Sequence, residues 1–118
     1  MVAYTPAIYA AVVLPGDGDY HNCSGYNLAR DLAANTAETF NVPTGAKKVS
    51  FTCTDNYWVA FTFEGYDDRT AAIPGADVTD GSAAELNPIR RTLSGGPNVT
   101  KISVITANAA KISLQFFS

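Results

Sequence analysis

From Thr100 to Phe117 the chain reads Thr-Lys-Ile-Ser-Val-Ile-Thr-Ala-Asn-Ala-Ala-Lys-Ile-Ser-Leu-Gln-Phe-Phe. Ile102 and Val104 alternate with Lys101, Ser103 and Ile105; after a break at Asn108, Ile112, Leu114 and Phe116 alternate with Lys111, Ser113 and Gln115. A side-chain period of two belongs to a pleated strand with one buried face and does not fit the 3.6-residue period of a helix. The segment is therefore expected to form two half-buried strands joined by a tight connection, a terminal hairpin.

The same pattern recurs upstream. Lys48–Thr54 is a strand with Val49, Phe51 and Cys53 inward, and Tyr57–Glu64 is another with Tyr57, Val59, Phe61 and Phe63 inward. Asp55-Asn56 between them reads as a turn, so this pair is expected to be a second hairpin. Ile8–Leu14 is a first strand closed by Pro15-Gly16, followed by a Gly- and Asn-rich loop over Gly16–Asn27. Leu28–Ala34 reads as irregular or extended, and Asn35-Thr36 as a turn into Ala37–Val42. Pro43-Thr44-Gly45 is a turn, since Pro presets φ and Gly supplies φ > 0. Pro88–Leu93 is a short strand and Ser94–Asn98 a Gly-Gly-Pro turn. Seven or eight short strands at about 8–12-residue spacing describe one all-β domain over residues 1–118, an antiparallel β-sandwich or jelly roll. The expected core is Val49, Phe51, Cys53, Tyr57, Val59, Phe61, Phe63, Ile102, Val104, Ile112, Leu114 and Phe116. No internal repeat is visible.

At 118 residues, with 47% hydrophobic and 16% charged residues, the chain has the balance of a folded globule. The net charge of −3 conceals an asymmetry. All eleven acidic residues lie at or before Glu85, against four of the eight basic ones, so the first 85 residues carry −7. The remainder, with Arg90, Arg91, Lys101 and Lys111, carries +4. Two readings follow. Strands from both halves interleave and mix the signs, or a basic edge of one copy meets acidic loops of another copy or of a host surface. The basic residues are too few and scattered for a nucleic-acid partner, and no window reaches the ~18 apolar residues of a membrane span. Ala7–Leu14 lacks the preceding positive charge of a signal peptide, so a cytoplasmic origin is expected. Cys53 falls in phase with the core residues of its strand and Cys23 lies in a loop; a reducing compartment disfavours a Cys23–Cys53 disulfide.

Catalytic groups are scarce. The only histidine, His21, sits in Asp17-Gly18-Asp19-Tyr20-His21-Asn22-Cys23, whose spacing matches no zinc or calcium pattern. Asp67, Asp68, Asp77 and Asp80 read as a solvated acidic loop, with calcium binding as the sharper alternative. No nucleophile elbow, zincin, Walker or dinucleotide motif occurs, and no nucleophile–base pair presents itself. The expectation is a protein that is not an enzyme and has no catalytic residues, cofactor or metal.

Two features point to association instead. If Tyr57, Val59, Phe61 and Phe63 face inward, alternation sends Trp58, Ala60, Thr62 and Glu64 outward, and an outward Trp is an interface-anchor residue. Three readings compete for it: cover by another part of the same subunit, a subunit contact, or a sugar-stacking platform. Gly65–Asn87, a loop of about 23 residues, is longer than compact domains carry without a purpose.

Val42-Pro43-Thr44-Gly45-Ala46-Lys47-Lys48-Val49-Ser50-Phe51 and Tyr57-Trp58-Val59-Ala60-Phe61 resemble segments of small virion proteins of tailed bacteriophages. So do Asp80-Gly81-Ser82-Ala83-Ala84-Glu85-Leu86-Asn87-Pro88 and the Ile-Ser-Val-Ile and Ser-Leu-Gln-Phe-Phe strands. The resemblance runs over about two thirds of the chain and lies in overall cadence, without a catalytic signature. The family is that of the capsid cement, or decoration, proteins. It implies a β-rich homotrimer on the virion capsid surface, assembled in the bacterial host cytoplasm, whose partner is the major capsid protein. Trp58, with Arg90 and Arg91 near it, is the expected interface, together with the 65–87 loop. The alternatives are a tail or baseplate component, and a carbohydrate-binding module stacking sugars on Trp58, Tyr57 or Tyr66.

Overall fold

The computed structural model describes residues 26–118; the expected strand Ile8–Leu14 and the Asp17–Cys23 loop, with His21, lie outside the described residues. Among the described residues eight strands follow one another: β1 Tyr26–Leu32, β2 Glu38–Asn41, β3 Lys48–Cys53, β4 Trp58–Phe63, β5 Glu85–Leu86, β6 Arg90–Thr92, β7 Val99–Ile105 and β8 Ala110–Phe117. Among the described residues there is no helix. The strands form two four-stranded antiparallel sheets, β1-β8-β3-β6 and β2-β7-β4-β5, in a sandwich-like arrangement. Leu28–Ala34, read as irregular or extended, belongs mostly to β1, which also takes Tyr26 and Asn27 from the expected loop.

Neither expected hairpin forms. β3 and β4 lie in different sheets, as do β7 and β8, and six of the seven sequential connections change sheet. The physical reason lies in the turn and in the core. Asp55-Asn56 carries no glycine for the left-handed pair of a two-residue hairpin. Arching instead lets the apolar faces of β3 and β4 meet: Phe51 of one sheet packs edge-on against Phe61 of the other at 6.3 Å between ring centroids and lies 6.0 Å from Tyr57. Edge-to-face pairs of this kind add to the burial term.

The two C-terminal strands take the central places. β8 runs between β1 and β3, and β7 between β2 and β4. Their inward residues Ile102, Val104, Ile112, Leu114 and Phe116 are fully buried and pack with Val49, Phe51, Tyr57, Val59 and Phe61 in one cluster. Cys53 is a free thiol, partly buried against that cluster. The turn after β2 closes as expected, Ala46 N–H donating to the Pro43 carbonyl at 3.1 Å with Gly45 at φ +88°.

Phe63 departs from the expected core. The ladder between β4 and β7 slips between Thr62 and Phe63, so that Thr62 faces Lys101 but Phe63 faces Val99. A bulge of this kind re-aims the side chains beyond it; Val99 is buried, while Phe63 stays 37% exposed. Phe61→Ala should therefore cost about 3–5 kcal/mol, the range for emptying a buried aromatic site. Phe63→Ala should cost less than about 1 kcal/mol, nearer a surface substitution. Urea melts of the two variants check the difference.

The open sides of the sandwich are closed alike. At one, Arg30 of β1 reaches Glu38 of β2 (Nη1–Oε1 2.6 Å), its guanidinium 5.0 Å from the Phe40 ring centroid. At the other, Arg91 of β6 holds Glu85 of β5 (Nη2–Oε2 2.5 Å, Nε–Oε2 2.9 Å). Each pair ties one sheet to the other. Exposed ion pairs contribute about 0–1 kcal/mol each, so their importance lies in how they arrange the edges.

Candidate functional site

Strand register places Trp58 on the outer face of its sheet, directly between Leu86 of β5 and Ile105 of β7. This apolar row is partly open: Trp58 and Ile105 are half-buried, and Leu86 is 49% exposed. The next rows along the same face, Ala60 with Ser103 and Thr62 with Lys101, are also outward by alternation, yet Ala60, Thr62 and Ser103 are buried. What covers them is the long segment between β4 and β5, residues 64–84.

That segment is pinned as a strap. The backbone N–H of Arg69 donates to Thr62 Oγ1 (2.8 Å) and that of Ala71 to Ser103 Oγ (2.9 Å). Lys101 Nζ reaches Asp68 (2.8 Å), and Arg69 Nη2 donates to the Ser82 carbonyl (3.0 Å). Two hydroxyls in outward positions thus serve as acceptors for a third layer of chain, with Ala71 buried beneath it. Side chains that look solvent-facing by alternation are anchoring points, and a loop that looks free is held by its backbone.

The strap returns through β5 into the crossover Asn87-Pro88-Ile89, which passes from one sheet to the other at the Arg91–Glu85 side. Five hydrogen bonds fix it. Asn87 N–H donates to the Tyr57 carbonyl (2.8 Å), and Asn87 Oδ1 accepts from Tyr57 N–H (2.9 Å). Asn87 Nδ2 donates to Asn56 Oδ1 (2.9 Å), Phe51 N–H donates to the Ile89 carbonyl (2.9 Å), and the Tyr57 hydroxyl donates to the Pro88 carbonyl. Asn87 adopts φ +52°, a left-handed conformation that Asn tolerates better than most residues. Pro88 is buried, while Leu86 and Ile89 on either side point away from the core, Ile89 being 70% exposed.

Tyr57 locks this crossover, and burial pushes its pKa above the ordinary phenol value; nearby Cys53 adds to the rise and Arg91 opposes it. The folded state therefore favours the neutral, donating phenol. The stability this supplies is complete below pH ~10, the unfolded phenol value, and is lost as pH rises through the higher folded value. Tyr57→Phe should lower stability at pH 7 by about 1–3 kcal/mol, leaving the Pro88 carbonyl unpaired, and should flatten the fall at alkaline pH. Thermal melts between pH 8 and 11 check both.

The expected interface residues are not gathered in one place. Arg91 is committed to Glu85 within the chain, and both stand at register positions of the inward residues Val49 and Val59, on the face of the sheet away from Trp58. Arg90 lies opposite Ser50 on β3, on the outer face of the other sheet. Lys101 pairs with Asp68 and Lys111 with Asp31, so three of the four basic residues beyond Glu85 are matched by acidic residues at or before it. The interleaving reading of the charge asymmetry holds for those three. Arg90 alone among them makes no side-chain ion pair or hydrogen bond among the described residues. Leu86 and Ile89 were not singled out by their sequence context; the available signal was two aliphatics flanking Asn-Pro in a stretch of turn formers.

Of the acidic set, Asp68 is paired with Lys101, and Asp80 accepts from Ser82 Oγ (2.6 Å) and N–H (3.0 Å), which lowers its pKa. Among the described residues, no three His, Cys, Asp or Glu side chains come together as a metal site. The chain matches no protein-family model, no curated protein and no solved structure at a significant level.

Proposed function

We propose that this chain is a non-enzymatic structural protein of a tailed-bacteriophage virion, a capsid cement protein that binds the outer shell and stabilises contacts between major capsid subunits. The observation that carries the reading is the strand order. β1-β8-β3-β6 against β2-β7-β4-β5, with six connections that change sheet, supports describing the fold as an eight-stranded jelly roll, an architecture of viral capsid and lectin domains. The analogy of architecture is joined by the resemblance of the 42–61, 80–88 and C-terminal segments to decoration proteins. A well-anchored, partly apolar outer face adds to it. The chain acts as a homotrimer on the virion surface, with the Trp58 row and the strap as its contact face.

Cementing works by repetition: each occupied site adds its own binding free energy to the shell's resistance to disruption. A Trp anchor typically accounts for ~2 kcal/mol or more on truncation, whereas a rim charge contributes little. Trp58→Ala should therefore reduce decoration of bare shells about 30-fold or more, with Lys111→Ala near wild type and both variants folded by circular dichroism. Loss of folding in Trp58→Ala, with Lys111→Ala stripped from shells, would contradict the assignment. The carbohydrate-binding alternative is left with Trp58 and Tyr66, since Tyr57 is buried with its hydroxyl bonded to Pro88. A glycan array distinguishes it.

A further inference from the structure

Among the described residues, five of the six exposed large hydrophobics lie from Phe63 to Ile89, on the strap and its entry, on β5 and on the crossover that follows it. The crossover presents Ile89 and, next to it, Arg90, a cation without a side-chain partner among the described residues. The strap presents the opposite combination twice. Tyr66, 71% exposed, precedes Asp67, and Val78, 42% exposed, follows Asp77. Neither Asp67 nor Asp77 has an in-chain partner among the described residues, whereas Asp68 and Asp80 do. Residues 64–85 carry six acidic side chains against the single Arg69.

We propose that the occupant of this surface is a second copy of the chain: the Ile89–Arg90 crossover of one copy seats on the strap of the next, between its Tyr66–Asp67 and Asp77–Val78 doublets. The inference rests on the oligomeric shell-protein reading and names the subunit contact within it. Two physical points support it. The two surfaces are complementary in charge, apolar against apolar with Arg90 facing unpaired carboxylates. Both are pre-organised, the crossover by its five hydrogen bonds and the strap by the Thr62 and Ser103 hydroxyls, so little ordering entropy is lost on contact. The contact is heterologous, joining two different surfaces, so it gives a ring where the rotation between copies closes and an open filament where it does not.

Sedimentation velocity and multi-angle light scattering of the full chain test this. Wild type should run as a closed oligomer. Ile89→Asp and Arg90→Glu should each weaken self-association at least tenfold with unchanged circular dichroism, since both side chains are on the surface. Arg90→Glu combined with Asp67→Lys and Asp77→Lys should restore assembly. A wild-type monomer at every concentration, an oligomer indifferent to Ile89→Asp and Arg90→Glu, or failure of the charge reversal to rescue would each overturn the proposal. Pelleting of the same variants with bare shells separates the two readings. Shell binding by a monomer that Ile89→Asp abolishes would make the shell protein the occupant and overturn the second copy while sparing the cement function. Oligomers that never bind shells would sink the cement reading and leave the subunit contact standing.

Discussion

Phe116→Ala is expected to lower stability by about 3–5 kcal/mol. Phe116 lies on the central strand β8, is fully buried, and faces Val49 on one side and Tyr26 on the other. Tyr26 meets it edge-on at 5.9 Å between centroids. No neighbouring strand is free to collapse into the space, because both flanks of β8 are paired along its length. Against a total of about 5–15 kcal/mol for a domain, the loss is a large fraction of the whole. With a shift of roughly 4–8 °C per kcal/mol for a domain near this size, the melting temperature should fall by well over 10 °C. The mirror substitution on the outward face of the same strand, Ser113→Ala, should leave it almost unchanged. Calorimetry on the pair measures the contrast, and equal effects would contradict the assignment of faces.

Detaching the strap should also have a large effect, and it should be local. In the double variant Thr62→Val and Ser103→Ala, the N–H groups of Arg69 and Ala71 lose their acceptors. Removing a buried partner costs about 1–3 kcal/mol per group, so the closed strap is disfavoured by several kcal/mol in total. Arg69 lies within the strap and is a trypsin site. When opening is fast relative to cleavage, the cutting rate follows the open population, and each ~1.4 kcal/mol multiplies it tenfold. Tryptic cleavage after Arg69 should accelerate about thirtyfold or more, while the two sheets keep their melting temperature within a few degrees. Cleavage at the wild-type rate would mean that contacts other than these hydroxyls hold the strap.

The alternation that made β3, β4, β7 and β8 legible also explains what was misread. A period of two states which face of a strand is buried, and it is identical whether the neighbour in sequence pairs beside the strand or lies opposite it across the core. Val49, Phe51, Val59 and Phe61 were therefore placed correctly, while the two hairpins were not. Phe63 escaped because the slip in the ladder is a property of the pairing, invisible along one strand. Ala60, Thr62 and Ser103 were correctly outward, but their burial depends on a strap whose anchoring is made by backbone N–H groups, which carry no sequence signature. For the candidate site, Trp58 was legible as the outward aromatic. Arg91 was expected near Trp58 at an interface, but its partner is Glu85, close in sequence on the same chain, and no neighbouring subunit is needed. Leu86 and Ile89 were hidden because their exposure follows from the locked Asn87-Pro88 crossover, a feature of long-range hydrogen bonds to Phe51 and Tyr57.

The proposed role, a shell-bound structural protein present in many copies, is tested most directly by quantitative mass spectrometry of tailed-phage particles purified from the source of the chain. A cement protein should be found in a fixed ratio to the major capsid protein, because each symmetry-related shell site repeats the same contact. A handful of copies would place it in the tail or baseplate, and its absence from particles would contradict the account altogether.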